Sequence, residues 1–135
     1  MAEEFKGHGD FIKQHGAFCW AELMTTDVPA ALEFYTKLFG WATQQLEEEY
    51  GSYVLVKVGE NEVGGVMATP PEAKGMPPMW GVYVTVEDVD ATAKMATELG
   101  GKILVPPRDI PNVGRFCVIQ DPQGAVISAI TTKQG

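Results

Sequence analysis

Apolar and polar residues alternate along this chain with a period that switches from two to about 3.6 and back, twice over. Trp20 to Thr25 alternates as a strand does and then meets Asp27, a helix N-capping residue, with Pro29 inside the first turn. Val28, Ala31, Leu32, Tyr35 and Leu38 recur at helical spacing until Gly40 supplies a stop. Three strands are then predicted over about 42–46, 53–58 and 62–68. The second round starts with a strand over 81–86 and a helix capped by Asp88 and ended by Gly100-Gly101. Strands over about 102–105, 114–119 and 125–130 follow, the last two joined by the turn Asp121-Pro122-Gln123-Gly124.

The two rounds superpose without a gap. At an offset of 61 residues Asp27-Val28-Pro29-Ala30 lies over Asp88-Val89-Asp90-Ala91, and Thr36, Leu38 and Gly40 lie over Thr97, Leu99 and Gly101. Such self-similarity marks a duplicated unit. The predicted fold class is α+β: two βαβββ modules forming an eight-stranded, half-closed, barrel-like sheet around a cavity, with the helices on the convex side. The expected organisation is a tail over 1–16 and a single domain over 17–131. Its modules span 17–69 and 79–131, joined by a proline-rich connector over 70–78.

Composition narrows the function classes. The chain has 135 residues, 45% hydrophobic and 21% charged, as a folded globular protein has. Its 18 acids against 10 bases, net −8, and the lack of Lys/Arg clusters disfavour nucleic acid. No apolar run reaches the ~20 residues of a membrane span, and nothing near the start has a signal-peptide core, so the expected location is cytoplasmic. Eleven of the acids and four of the bases fall in residues 1–67, including the run Glu47-Glu48-Glu49, which reads as solvated surface. Cys19 and Cys117 sit in apolar runs without a CxxC neighbour, as reduced buried thiols do.

Particular residues carry a family resemblance. Trp20-Ala21-Glu22-Leu23 through Asp27, Ala31, Phe34-Tyr35 and Leu38-Phe39-Gly40-Trp41 resembles the first module of the vicinal oxygen chelate superfamily, which holds glyoxalase I, bleomycin-resistance proteins and extradiol dioxygenases. Pro106-Pro107, Asp109-Ile110-Pro111, Gly114-Arg115-Phe116 and Asp121-Pro122-Gln123-Gly124-Ala125 agree with its second module. The chain is most similar to short glyoxalase-like members that carry a hydroxylase label. Metal-binding relatives place ligands on the first and last strand of each module. The resemblance puts those places at Trp20, Met67, Gly81 and Ser128, which are not a His/Glu/Asp/Cys set. The expectation is therefore a metal-free member with no cofactor.

Strand parity gives the expected cavity lining. If Trp20 faces in, so do Glu22 and Met24; in the second module Tyr83 does, together with Gly81 and Thr85. A four-residue turn at Asp121–Gly124 would pair Cys117 with Ser128 and Arg115 with Ile130, facing all four inward and turning Phe116 and Val118 to the helix. The same register in the first module puts Val54, Val56 and Met67 on the wall. Tyr50, Tyr53 and Trp80 are rim candidates whose parity the sequence leaves open. The expected ligand-binding set is Trp20, Glu22, Met24, Met67, Tyr83, Arg115, Cys117 and Ser128. Glu22 has three readings: a fixed pair with Arg115, an anchor for a cationic or hydroxyl-bearing ligand, and a general base.

Three functions compete. The leading one is a metal-independent protein of this superfamily that binds a small apolar or aromatic molecule. The second is a metal-free lyase, isomerase or hydroxylase-type enzyme using Glu22 as catalytic base, and the third a metal-dependent glyoxalase-type lyase with ligands elsewhere. The expected partners are a small-molecule ligand or substrate and a second copy in a homodimer, and neither nucleic acid nor membrane.

Overall fold

The computed structural model describes residues 10–46, 53–71, 75–110 and 113–132. The run Glu47–Glu49, Tyr50, Pro111 and the first nine residues lie outside that set. The chain divides into two compact units: Trp20–Gly81, called here the first unit, and Met1–Cys19 with Val82–Gly135, the second.

The predicted elements are present in the predicted order. β1 (Phe18–Thr25), α1 (Val28–Phe39), β2 (Ala42–Gln45), β3 (Val54–Val58) and β4 (Asn61–Ala68) are followed by β5 (Met79–Thr85), α2 (Val89–Glu98), β6 (Lys102–Ile110), β7 (Gly114–Gln120) and β8 (Val126–Thr132). Two βαβββ sets thus make a mixed α+β fold of two helices and eight strands. The strands run β2-β3-β4-β1 in one set and β5-β8-β7-β6 in the other, with β1 parallel to β4 and β5 parallel to β8.

Local chemistry explains the helix ends. The Asp27 carboxylate accepts from the Ala30 N–H at 3.0 Å, and Pro29 lies where a helix has no use for an N–H. Gly40, left-handed at φ +73°, returns its N–H to the Thr36 carbonyl at 2.8 Å. Asp88 repeats the N-cap, accepting from the N–H groups of Asp90 and Ala91 at 3.0 and 3.1 Å. Each helix then covers one face of its own strands. In the first unit Val28, Ala31, Leu32, Tyr35 and Trp41 pack against buried Leu23, Val56 and Val66. In the second, Val89 and Ala93 join Val86, Cys117 and Ala129.

Two strand registers depart from expectation, and each departure has a local cause. Gly124 adopts φ +103°, its N–H reaches the Asp121 carbonyl at 2.9 Å, and the Asp121 N–H reaches the Ala125 carbonyl at 2.7 Å. A left-handed glycine after the turn adds one residue to the connection as a bulge, which L side chains resist. Cys117 therefore pairs with Ala129 and Arg115 with Thr131, while Ser128 pairs with Val118. In the first unit Lys57 pairs with Glu62 but Val56 with Gly64, leaving Val63 as the extra residue. Val54 then pairs with Val66 and Leu55 with Gly65. Because side chains alternate, one residue turns a whole strand over. Arg115, Cys117, Val54 and Val56 point to the helix side, whereas Phe116, Val118, Tyr53 and Leu55 occupy the opposite face.

β6 also runs further than expected, through Pro106-Pro107 to Ile110, with register breaks between Ile103 and Val105 and between Val105 and Arg108. Its place at the end of the strand order explains how two prolines fit, since an edge strand has N–H groups to spare.

Arg115 joins β7 to α2. Its Nε and Nη2 donate to the two Asp90 oxygens at 2.9 and 3.0 Å, and Nη1 donates to Asp109 at 3.2 Å. The hydrogen bonds from Arg115 hold the Asp90 carboxyl below its ordinary 3.8. A carboxyl lowered by folding contributes stability that is complete above the unfolded value and fades as pH falls through the folded one. Below 3.8, then, wild type loses this share of its stability while Asp90→Asn has none to lose. Melting temperatures measured from about pH 5 down to about pH 2 should converge for the two proteins; a constant gap would show that the pair does not act this way.

Candidate functional site

β1 carries the residues from which the site is built. Its alternation sends Leu23 to the helix and Trp20, Glu22 and Met24 to the opposite, helix-free face of the first unit. Pairing with β4 places Gly65 beside Glu22 and Met67 beside Met24. Pairing of β4 with β3 sets Leu55 against Gly65, and Tyr53 follows on the same side.

A directed hydrogen-bond chain crosses this face. The Trp20 indole Nε1–H donates to the Tyr53 hydroxyl at 2.8 Å, and that hydroxyl donates to Glu22 Oε1, also at 2.8 Å. Its direction is fixed by chemistry, because an indole N–H only donates. The Tyr53 oxygen must accept from Trp20, which leaves its single proton for the carboxylate. All three residues are half-buried. An ionised carboxylate offers about four acceptor positions, and the Tyr53 hydroxyl occupies one of them on Glu22.

Gly65 makes this arrangement possible. A Cβ at position 65 would fall within the phenol ring of Tyr53, overlapping its hydroxyl. The ring lies across β4 at a height that only a glycine tolerates. Sequence reading named Tyr53 as a rim aromatic but could not assign its face, since that depends on the bulge at Val63. Gly65 gave no signal of its own.

The other expected site residues divide. Met67 and Met24 share the face with Glu22, as their parity indicates. In the second unit Tyr83 pairs with Ser128, and both lie on that unit's helix-free face with Phe116 and Val118. The Tyr83 and Phe116 rings are 6.4 Å apart at 54°. Arg115 is not on this face, and the pair it forms is with Asp90 and Asp109, on the helix side. Arg108, the β6 partner of Phe116, is a cation that shares its face. The sequence hid it behind the two register breaks around Pro106-Pro107. Cys117 is fully buried under α2, and burial, with the Asp90 charge adding to it, pushes its thiol up. Trp80 leaves the rim as well: its indole donates to the Tyr35 hydroxyl at 3.1 Å and its ring meets those of Tyr35 and Trp41 edge-on.

The residues that the family resemblance puts at metal-ligand positions do not suit a divalent cation. The Trp20 indole nitrogen carries a proton and spends it on Tyr53. Met67 offers a soft thioether, Ser128 a neutral hydroxyl and Gly81 no side chain. Among the described residues no group of three or more His, Cys, Asp and Glu comes together. His15 is engaged elsewhere, its Nδ1 accepting from the Glu87 N–H at 3.0 Å.

Comparison with known proteins shows the family and the fold. The sequence model described as "Glyoxalase/Bleomycin resistance protein/Dioxygenase superfamily" matches residues 17–128. The chain is 42% identical over 120 residues to "Putative glyoxylase CFP32" of Mycobacterium tuberculosis (strain CDC 1551 / Oshkosh), covering 88% of this chain and 45% of the relative. It is 32% identical over 126 residues to "Anthracycline biosynthesis protein DnrV" of Streptomyces peucetius, covering 84% of this chain and 46% of that one. The chain thus spans under half the length of the curated relatives it matches. Among solved structures, methylmalonyl-CoA epimerase from Mycobacterium tuberculosis superposes with a TM-score of 0.63 at 16% identity, over 88% of this chain and 89% of that one, a likeness of fold.

Two outcomes follow from the site. Gly65→Ala should displace the Tyr53 ring and break the chain to Glu22, at a cost of about 1–3 kcal/mol in urea unfolding. Tyr53→Phe, which keeps the ring and loses only the hydroxyl, should cost less, about 1 kcal/mol; equal costs would mean that the ring's position does not depend on Gly65. A thiol reagent should label Cys19 in the folded protein and reach Cys117 only on unfolding.

Proposed function

Because the chain belongs to the Glyoxalase/Bleomycin resistance protein/Dioxygenase superfamily, we propose that it binds a small, flat, largely apolar molecule carrying a hydroxyl or amino donor. The proposed site is the helix-free face of the first unit, with no divalent metal at the superfamily's ligand positions. The observation that carries this reading is the Trp20–Tyr53–Glu22 chain. An indole and a phenol supply flat apolar area, Met24 and Met67 supply adaptable contact, and a carboxylate held by its neighbour supplies one directed acceptor. Apolar walls with a single fixed polar group are how small-molecule sites achieve orientation. The relative DnrV is named for anthracycline biosynthesis; anthracyclines are fused, hydroxyl-bearing rings, and many carry an amino sugar, which is the chemistry this face would accept. On the second unit, Tyr83, Ser128 and Phe116 are proposed as further ligand-contacting residues.

The hydrogen bond from Tyr53 to Oε1 holds Glu22 in place for the anchoring role and lowers its basicity, which disfavours a general base. A metal-dependent lyase is disfavoured by the donor set at Trp20, Met67, Gly81 and Ser128. The proposed location is the cytoplasm.

Titration of the Trp fluorescence with an anthracycline tests the reading. Saturable binding is expected, weakened about tenfold or more by Glu22→Gln for the form bearing the amino sugar and less for the ring system alone. Absence of saturation, or an affinity indifferent to Glu22→Gln, would sink it. Metal analysis of the purified protein should find far less than one equivalent, and near-stoichiometric metal would return the lyase reading to first place.

A further inference from the structure

The helix-free face of the second unit carries a charge pattern that the Trp20–Tyr53–Glu22 chain does not use. β5 to β8 hold one acid, Asp109, and it stands across from Arg115 on the helix side. There Asp109 and Asp90 take up the Arg115 guanidinium. The charged residues that these strands direct to the opposite face are Arg108 and Lys102, paired with Phe116 and Gln120. Both are cations, in a chain of 18 acids and 10 bases. Lys102 is at the other end of β6, about 20 Å away at the rise of a strand. Arg108 therefore acts alone. It is exposed, and among the described residues it makes no ion pair or hydrogen bond.

The duplication shows what has been built around it. At the 61-residue offset Tyr83 lies over Glu22, Phe116 over Leu55 and Ser128 over Met67. A phenol has replaced the carboxylate of the first unit, and a second ring has replaced an aliphatic side chain. The two half-buried rings lie 6.4 Å apart at 54°. Phe116 stands directly across from Arg108, so the arginine side chain leaves its strand about 5 Å from that of the phenylalanine. Ser128, paired with Tyr83 on one side and Val118 on the other, is half-buried. Among the described residues its hydroxyl makes no hydrogen bond.

We infer that this face binds a planar aromatic monocarboxylate, its ring on Tyr83 and Phe116 and its carboxylate on Arg108. Each part of that ligand answers a part of the face. A guanidinium presents parallel N–H donors whose spacing matches the two oxygens of a carboxylate. A phosphate group calls for more than one cation, or for the free N–H groups of a helix N-terminus. The N-terminus of α2 is already capped by Asp88. An aliphatic acid would leave the ring pair without a partner, and aromatic pairs gain from edge or offset contact beyond the area they bury. The Ser128 hydroxyl can both donate and accept, which suits a polar substituent on the ring. This site extends the proposed contact role of Tyr83, Phe116 and Ser128, and it does not depend on Glu22.

Calorimetric titration of the full chain with 2-naphthoate and with neutral 2-naphthamide, at low ionic strength, reads the outcome. Naphthoate should saturate and bind about tenfold tighter than the amide. Arg108→Gln should bring the two ligands to within about twofold of each other, through loss of affinity for naphthoate alone. Phe116→Leu, which keeps apolar bulk and removes the ring, should weaken both by about threefold or more. Glu22→Gln should leave the naphthoate affinity within about twofold, so that failure of the first-unit site and failure of this one are read separately. Arg108 is exposed, and Arg108→Gln should keep the circular dichroism of wild type; if Phe116→Leu fails to fold, Arg108→Gln decides. No saturation up to about 10 mM, equal affinity for acid and amide, or a preference that survives Arg108→Gln overturns the inference.

Discussion

The phenol of Tyr53 can lie against β4 only because residue 65 has no side chain, and the chemistry of the first unit's helix-free face depends on that one contact. With the ring down, its hydroxyl comes between the Trp20 indole and the Glu22 carboxylate at hydrogen-bonding distance from both. With the ring displaced, Glu22 would stand among Met24, Met67 and Leu55 without this donor. A hydrogen bond to a charged group is worth about 1.5–3 kcal/mol where water is excluded and less where, as here, the groups are half open to solvent. Its larger effect is geometric. Because an indole cannot accept, the proton order runs one way, and the Tyr53 hydroxyl holds the carboxylate in position.

Most of the architecture was legible because it is written in short-range signals. Asp27, Gly40 and Asp88 stand at the helix ends they were expected to cap, and β1, β5 and β8 show their faces through their own alternation. That is why Trp20, Glu22, Met24, Tyr83 and Ser128 fall on the expected side. β3 and β7 were different. Each takes its register from a hairpin, and each hairpin holds one residue more than a simple turn, at Val63 and at Gly124. A single added residue moved Val54, Val56, Arg115 and Cys117 to the helix side and brought Tyr53, Phe116 and Val118 to the other. Arg108 was hidden in the same way by the irregular pairing of β6. Gly65 was hidden for another reason: its role is to be absent, and the need for absence is set by a ring twelve residues earlier in the chain.

The charge imbalance takes on a different meaning once its partners are known. Arg115, the one inward cation the sequence offered as a partner for Glu22, is held by Asp90 and Asp109 on the helix side, where it ties β7 to α2 and β6. Glu22 is instead satisfied in part by a neutral hydroxyl. A neutral donor stabilises the carboxylate by a directed hydrogen bond without cancelling its charge, which a salt bridge with Arg115 would have done.

Duplication has left the helix sides of the two units alike and their helix-free faces unlike. On the helix side both units set valine and alanine of the helix against the sheet, with Leu23, Val56 and Val66 in one and Val86, Cys117 and Ala129 in the other. That similarity follows from packing, which tolerates little change in volume at a buried interface. The opposite faces are under no such constraint. The first unit has placed a carboxylate, an indole and a phenol there, and the second has placed Tyr83, Phe116, Ser128 and Arg108. An anion and its neutral donors on one unit and a cation with aromatic surface on the other are different side-chain chemistries built on one scaffold. The repeat therefore accounts for how each unit folds, and the departures from the repeat account for the different side chains that the two helix-free faces carry.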